Sequence, residues 1–225
     1  MNFNLDEAVE KIKNNKDFLK LEKIIENNAG HDHEPVYDHS IKTFEIANRL
    51  VKGNFILNAE AKNMFEIYIR QEVGGIKKFD LFKFTALIHD IGKVIVFDDG
   101  GKKRSLNITS SDGKTSSPQH GYWGSRIVKN ITKEVGLPYE VISYIENVIR
   151  LHLATIEHWE TEHNMSVDEI IWDSKIKLEN LHVDVLFNLY SDLYSQSSFK
   201  PKEKIMIEIF NNPNFYNYLK YSITD

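Results

Sequence analysis

Apolar residues recur at helical spacing along most of the chain. They follow the i, i+3, i+4, i+7 pattern of amphipathic helices, and no alternating stretch is long enough to predict a sheet. The pattern predicts one or two helices within 5–27, then helices over 36–52 and 57–72 and a central helix in the segment from Phe82 to Lys93. Further helices are predicted from Ser117 to Gly136, from Pro138 to His152, and near 166–175, 180–197, 202–211 and 214–221. We therefore expect an all-α fold, a single-domain helical bundle over residues 1–225, with 1–30 as an N-terminal helical extension and 197–225 as C-terminal helices.

The segment from Phe82 to Lys93 is apolar on most of its circumference and ends in His-Asp-Ile-Gly-Lys. A helix that is hydrophobic all round belongs in the middle of a domain, so this pattern predicts that His89 and Asp90 are buried. A buried carboxylate is costly unless a cation or hydrogen-bond donors compensate it, and an adjacent imidazole and carboxylate suit a metal ion. We expect Gly92 to end the helix in a left-handed turn.

Further polar residues lie on or beside the buried faces of other predicted helices, where a polar side chain needs a partner. They are His39, His120, His152 and Asp192, with Asp184 as the alternative to Asp192, whereas His158 and His163 are expected at the surface. With His89 and Asp90 the set comprises four imidazoles and two carboxylates, more than one tetrahedral ion needs. It fits two octahedral-type ions that share a bridging carboxylate, and Asp90 is the expected bridge.

Composition narrows the range of sites and locations. The chain has no cysteine, which excludes disulfides and thiolate ligands, so any metal must be held by nitrogen and oxygen. Neither a targeting signal nor an apolar run of membrane-spanning length is present, so we expect a soluble, cytoplasmic protein that does not enter a membrane.

Charge is distributed unevenly along the chain. The formal net charge is −5, which disfavours a nucleic-acid partner, yet the segment 76–133 around His89 and Asp90 is basic. Lys102, Lys103 and Arg104 lie there, in a long stretch between 94 and 119 with little helical signal. We expect this stretch to form a lid or a substrate-contacting loop. Its basic cluster either steers an anionic substrate or forms a solvated loop tip.

The order His, His-Asp, His, His, Asp over residues 36–196 resembles the HD superfamily of metal-dependent phosphohydrolases. Gly-Tyr-Trp-Gly after His120 is similar to the small-residue helix start of relatives. The closest resemblance is to the His-Asp-x-Gly-Lys branch, which includes the HD domains of tRNA nucleotidyltransferases and the cyclic-di-GMP phosphodiesterases. The paired histidines and Gly-Tyr-Pro of the latter are absent, which disfavours cyclic-di-GMP as the substrate. The Glu-Asp pair of the stringent-response hydrolases is also absent from its expected place just after Asp90.

The resemblance implies a dinuclear site for two divalent transition-metal ions, Fe, Mn, Co, Ni or Zn, with Mg as a further option. His39, His89, Asp90 and Asp192 would hold the first ion, and Asp90, His120 and His152 the second. The expected activity is hydrolysis of a phosphate monoester or diester (EC 3.1), on a small molecule such as a nucleotide. Asp90 and Lys93 are the expected catalytic residues. Lys93 either contacts a substrate phosphate or is an exposed lysine at a helix end.

Two other functional classes stay open. The six-residue pattern and the lysine after the glycine also resemble those of myo-inositol oxygenase and its relatives. A non-haem di-iron oxygenase is therefore the first alternative. A non-catalytic HD sensor or interaction module is the second. Histidine and carboxylate ligands alone do not separate these classes. Neither the substrate, the physiological metal nor the oligomeric state follows from the sequence.

Overall fold

A computed structural model describes residues 3–154, 165–196 and 200–224, and His158 and His163 lie outside these described residues. The fold is all-α, as predicted, with ten α-helices in the described residues. They are α1 Leu5–Lys13, α2 Val36–Leu50, α3 Ala59–Ile69, α4 Lys78–Ile88, α5 His120–Ile131, α6 Tyr139–Leu151, α7 Val167–Leu178, α8 His182–Ser195, α9 Lys200–Phe210 and α10 Pro213–Thr224. Short 3₁₀ turns cover Phe18–Lys23, Ile91–Val94 and Glu179–Leu181.

Polar residues define several helix starts. The side chains of Asn4 and Asn58 accept hydrogen bonds from the first free backbone N–H groups of α1 and α3. Ser166 and Glu169 form a reciprocal capping box at the start of α7. These local signals explain why the observed helices begin close to where the hydrophobic periodicity begins.

Within the described ranges, four small antiparallel hairpins connect the helices. Their strands are β1 Ile25–Glu26 with β2 Glu34–Pro35, β3 Glu72–Val73 with β4 Ile76–Lys77, β5 Val96–Asp99 with β6 Lys102–Ser105, and β7 Ile108–Thr109 with β8 Thr115–Ser116. The stretch between 94 and 119 thus contains two hairpins. Gly100 and Gly101 both have positive φ, which suits the tight two-residue turn that joins β5 to β6.

Helix α4 lies between two hydrophobic clusters, as its sequence predicts. Phe82 and Ala86 pack in one cluster with side chains of α2, α3 and α8. Phe84, Leu87 and Ile88 pack in the other with side chains of α1, α5 and α6. Because α4 contributes to both clusters, the residues that follow its C-terminus are also enclosed.

Gly92 permits a very close approach between the 3₁₀ turn Ile91–Val94 and α5. The prediction that Gly92 takes a left-handed conformation was wrong, since its φ lies outside that region. A Cβ at this position would instead lie 1.9 Å from the carbonyl oxygen of His120 and 2.5 Å from the backbone nitrogen of Gly124. A Cβ on Gly121 would lie 2.8 Å from the carbonyl oxygen of Ile149 in α6. Glycine is therefore needed because backbone meets backbone here.

In the described part of the chain, no helix combines the length and the apolar character needed to cross a membrane.

Candidate metal centre

Six polar side chains from five helices or helix ends meet in the interior. Each is at most 8% exposed. They are His39 in α2, His89 and Asp90 directly after α4, His120 at the start of α5, His152 directly after α6 and Asp192 in α8. The structure thus brings together the six residues singled out by the sequence, although they span more than 150 positions.

The first group comprises His39, His89 and Asp192. The Nε2 atom of His39 lies 3.0 Å from Oδ1 of Asp192, and that of His89 lies 3.7 Å from the same oxygen. One ligand atom from each of the three lies within 4.8 Å of the others, close enough for a shared ion. Oδ2 of Asp90 faces this group, 3.7 Å from Nε2 of His39 and 3.4 Å from Nε2 of His89.

The second group comprises Asp90, His120 and His152, whose ligand atoms also lie within 4.8 Å of one another. Oδ1 of Asp90 is 3.1 Å from Nε2 of His120, which is 3.1 Å from Nε2 of His152. Asp90 therefore presents one oxygen to each group. This is the arrangement that a carboxylate bridging two ions requires.

Backbone carbonyl oxygens orient three of the imidazoles. Nδ1 of His89, His120 and His152 lies 2.6–2.8 Å from the carbonyl oxygen three residues earlier, which belongs to Ala86, Ser117 and Ile149 respectively. A carbonyl oxygen only accepts, so Nδ1 donates, and in the neutral ring Nε2 carries the lone pair. All three lone pairs are thereby directed into the cluster.

Ser195 orients the fourth imidazole. Its hydroxyl donates to the carbonyl oxygen of Asp192 at 2.6 Å, and it therefore accepts from Nδ1 of His39 at 3.0 Å. Nε2 of His39 is then also the lone-pair nitrogen. Ser195 is not among the site residues predicted from the sequence, although its position three residues after Asp192 was an available signal.

The donor set fits a metal ion. The buried Nε2 atoms of His39 and His89 have no hydrogen-bond partner among the residues described. The Nε2 lone pairs of His120 and His152 face each other. Buried acceptors that face acceptors are unfavourable unless a cation or proton lies between them. Nitrogen and carboxylate donors without sulfur suit divalent transition metals.

The charges in the cluster favour a cation as well. Although burial raises the pKa of Asp90 and Asp192, contacts with His89 and Lys93 for Asp90, and hydrogen bonds from His39 and His89 for Asp192, hold both pKa values well below the ordinary value. Burial opposes a charged imidazole at His89, yet Asp90 and then Asp192 raise its pKa to about 9. Burial, with His120 and His89 nearby, lowers the pKa of His152 to about 3, so its lone pair is available to a metal.

A family model of the HD domain matches residues 36–185. The chain belongs to the HD domain family. Members form a superfamily of metal-dependent phosphohydrolases, and HD domains bind divalent metal ions. No curated protein matches the sequence. The match ends before Asp192, which the structure nevertheless places beside His39.

Lys93 of this HD domain is buried beside the bridging carboxylate. Only 5% of the residue is exposed, so the alternative of an exposed lysine at a helix end was wrong. Its Nζ donates to Oδ2 of Asp90 at 2.7 Å and to Oε2 of Glu26 at 2.8 Å. Burial opposes its charge, but Asp90 and Glu26 raise its pKa above the ordinary value. Glu26 is not among the site residues predicted from the sequence.

A further histidine lies next to the HD cluster, by which we mean His39, His89, Asp90, His120, His152 and Asp192. Nδ1 of His31 is 2.9 Å from Oε2 of Glu34, and its ring lies 4.4 Å from that of His39, centroid to centroid. His31, Glu34 and His39 also have ligand atoms within 4.8 Å of one another. The dense run of histidine and acidic residues just before α2 was the sequence signal for this neighbour.

Asp184 belongs to a separate buried network. Its carboxylate accepts from the hydroxyls of Tyr68 at 2.6 Å and Tyr144 at 2.7 Å, and it lies 3.1 Å from Nζ of Lys78. These groups come from α3, α6 and α4. The structure therefore places Asp192, and not Asp184, beside the histidines of the HD cluster.

The basic cluster Lys102, Lys103 and Arg104 lies on β6 and is exposed. Its hairpin is anchored on α5, because the rings of Phe97 in β5 and Trp123 in α5 pack edge to face at 4.9 Å. The hairpin thus belongs to the same side of the HD domain as the helix that begins with His120.

Proposed function

We propose that this HD domain hydrolyses a phosphate monoester or diester, on a nucleotide or a related small anion, with two divalent metal ions. The observation that carries the proposal is the position of Asp90. One of its oxygens faces His39 and His89, and the other faces His120. A carboxylate shared by two groups of imidazoles is the donor arrangement of a two-metal hydrolytic site.

Each side chain has a defined part in the proposal. His39, His89, Asp90 and Asp192 hold one ion, and Asp90, His120 and His152 hold the other. Two such ions supply an activated water and neutralise charge on the phosphoryl oxygens. The low pKa values of Asp90 and Asp192 keep both carboxylates ionised at neutral pH. Fe, Mn, Co, Ni and Zn suit these donors, with Mg as a further option.

Two cavities lie beside the six-residue cluster, and the charged side chains that line them differ. The larger, of about 870 Å³, reaches Ser195 and is lined by the carboxylates of Asp32, Glu34, Asp38 and Glu45 against the ammonium groups of Lys13 and Lys42. The smaller, of about 460 Å³, is lined by His152, Arg150, Tyr122 and Gln119, among others, and none of the described residues that line it is a carboxylate.

The smaller cavity supports binding of an anion. Arg150 contributes a guanidinium group, which pairs well with phosphate. Gln119 and Gly121 belong to the N-terminal turn of α5, where the helix dipole also favours negative charge. The volume falls within the range of small-molecule sites. A phosphate ester is therefore proposed to approach His152 from this side, and the exposed Lys102, Lys103 and Arg104 to steer it from a distance.

Metal analysis of the purified protein, followed by assays with phosphomonoesters, phosphodiesters and nucleotides in the presence of Mn, Fe, Co, Ni or Mg, tests the proposal. Asp90→Asn keeps the shape of the side chain but removes the bridging charge, so we expect loss of both metal and activity. His33→Asn is the matched control, because this histidine is exposed and asparagine tolerates its positive φ.

The outcomes separate the functional classes. Undiminished turnover in Asp90→Asn would contradict the hydrolytic site. Iron-loaded protein that consumes oxygen and hydrolyses no ester would replace the proposal with the oxygenase. A protein that keeps a binding partner after Asp90→Asn and shows no turnover in any form would favour the non-catalytic module.

A further inference from the structure

Glu26 lies outside the segment matched by the HD family model, yet it contacts the centre of the cluster. Its side chain is only 4% exposed, and Oε2 accepts a hydrogen bond from Nζ of Lys93 at 2.8 Å. The same Nζ donates to Oδ2 of Asp90 at 2.7 Å. Lys93 is thus shared between a carboxylate of the proposed metal centre and one from the N-terminal part of the chain.

The backbone holds Glu26 firmly in this position. Glu26 pairs with Glu34 across the β1–β2 hairpin, directly before α2. The next residue, Asn27, is fixed to the β7–β8 hairpin, because its N–H donates to the hydroxyl of Thr115 at 2.7 Å and its carbonyl oxygen accepts from the N–H of Thr115 at 2.8 Å. The β1–β2 and β7–β8 hairpins therefore fix the backbone at Glu26 and at the residue after it.

The ammonium of Lys93 and a metal ion compete for the same carboxylate oxygen. Oδ2 of Asp90, which bonds to Lys93, is also the oxygen that faces His39 and His89. Glu26 is a second negatively charged acceptor for Lys93, and it offsets the positive charge of the ammonium. Without Glu26, the ammonium would pair with Asp90 alone and weaken the binding of a cation by Asp90.

We propose that Glu26 is a positioning residue of the metal centre, which holds Lys93 so that the carboxylate of Asp90 stays available to the ions. The three buried carboxylates Glu26, Asp90 and Asp192 exceed the ammonium of Lys93 by two negative charges. Without Glu26, the excess is one negative charge. The inference rests on the metal centre of the proposed function but does not depend on which reaction takes place there.

Metal affinity in a single and a double variant tests the role of Glu26. Glu26→Gln keeps the size and an acceptor oxygen but removes the charge, and we expect binding of Mn²⁺ or Co²⁺ to weaken about 10–100-fold, as for other groups that support metal ligands. Glu26→Gln with Lys93→Met removes both charges, so affinity should return to within a few-fold of the wild type. Isothermal titration calorimetry measures the affinity, and circular dichroism verifies folding.

Asp184→Asn is the matched control. Asp184 is also a buried carboxylate that pairs with a lysine, but its network contains none of the six clustered residues. We expect Asp184→Asn to lower the melting temperature without changing the affinity for Mn²⁺. A general effect of disturbing buried ion pairs would instead weaken metal binding in both variants.

Two results would overturn the role of Glu26: wild-type affinity in folded Glu26→Gln, or a double variant that binds no more tightly than Glu26→Gln. A wild-type protein that binds no divalent ion would remove the metal centre itself, and Glu26's role with it. A wild-type protein that binds metal but hydrolyses no ester would refute only the proposed function. The two proposals therefore fail in distinguishable ways.

Discussion

A methyl group at Gly92 is the smallest change that should separate the two halves of the proposed metal centre. In Gly92→Ala the new Cβ would lie 1.9 Å from the carbonyl oxygen of His120 and 2.5 Å from the backbone nitrogen of Gly124. Both contacts are with backbone atoms, which cannot rotate away. To restore even a tight contact of about 3 Å, the start of α5 must move by about 1 Å relative to the turn.

That displacement would act directly on His120, the first residue of α5. Its Nε2 lies 3.1 Å from Asp90 and 3.1 Å from His152, and metal–ligand distances tolerate deviations of only about 0.2 Å. We therefore expect Gly92→Ala to lose the ion that is proposed to bind Asp90, His120 and His152. The group of His39, His89 and Asp192 should keep its ion.

The stability of Gly92→Ala should fall as well. Overpacking costs about 1–3 kcal/mol, which for a chain of this size corresponds to a drop in melting temperature of roughly 2–12 °C. Differential scanning fluorimetry measures the shift, and metal analysis after dialysis measures the stoichiometry, which should fall from two ions to one.

Gly124→Ala is the graded control for Gly92→Ala. Its Cβ would meet the Cγ2 methyl of Ile149 at 3.0 Å, where the side chain can yield, and the backbone nitrogen of Gly92 at 3.2 Å, which needs a shift of only a few tenths of an ångström. We expect a smaller loss of stability and two retained ions. A Gly92→Ala protein with the melting temperature and metal content of the wild type would refute the reasoning, because the close approach would then not exist in solution.

Two further predictions concern substrate binding and acid stability. Arg150→Ala should raise KM for a phosphate ester about tenfold or more with little change in kcat, since Arg150 lines the cavity beside His152; a KM equal to that of the wild type would contradict this approach route. Burial lowers the pKa of His182 from its ordinary 6.5 to about 4, so the unfolded chain binds a proton that the folded chain does not. Stability should therefore fall by about 3 kcal/mol as pH drops from about 6.5 to about 4. Urea denaturation at several pH values should show a shallower loss in His182→Asn, and an identical pH slope would count against this assignment.

Local pattern was sufficient to predict the fold class and the residues that converge. The apolar circumference of α4 predicts its central position, and hence the burial of His89 and Asp90. His120 and His152 follow in the same way, because each lies at the inward end of an amphipathic helix. Periodicity fixes which face a residue occupies, and this is the information that the convergence of the site requires.

Contacts between distant segments could not be predicted in the same way. Glu26 meets Lys93 across 67 positions, and no periodic pattern relates the two. The sequence predicts a left-handed turn at Gly92, because that is the common use of glycine after a helix. Its actual role depends on how closely α5 approaches, which is a property of tertiary packing and has no local signal.

The support of three imidazoles by main-chain oxygens has a consequence for how the site can change over generations. A carbonyl oxygen belongs to every amino acid, so no replacement at position 86, 117 or 149 deletes the acceptor as long as the local backbone keeps its course. Mutational drift at these positions should leave the ring orientations intact. His39 differs, because its acceptor is a serine hydroxyl that one nucleotide change can remove. Of the four rings, we expect that of His39 to be the one whose alignment is most readily lost or retuned.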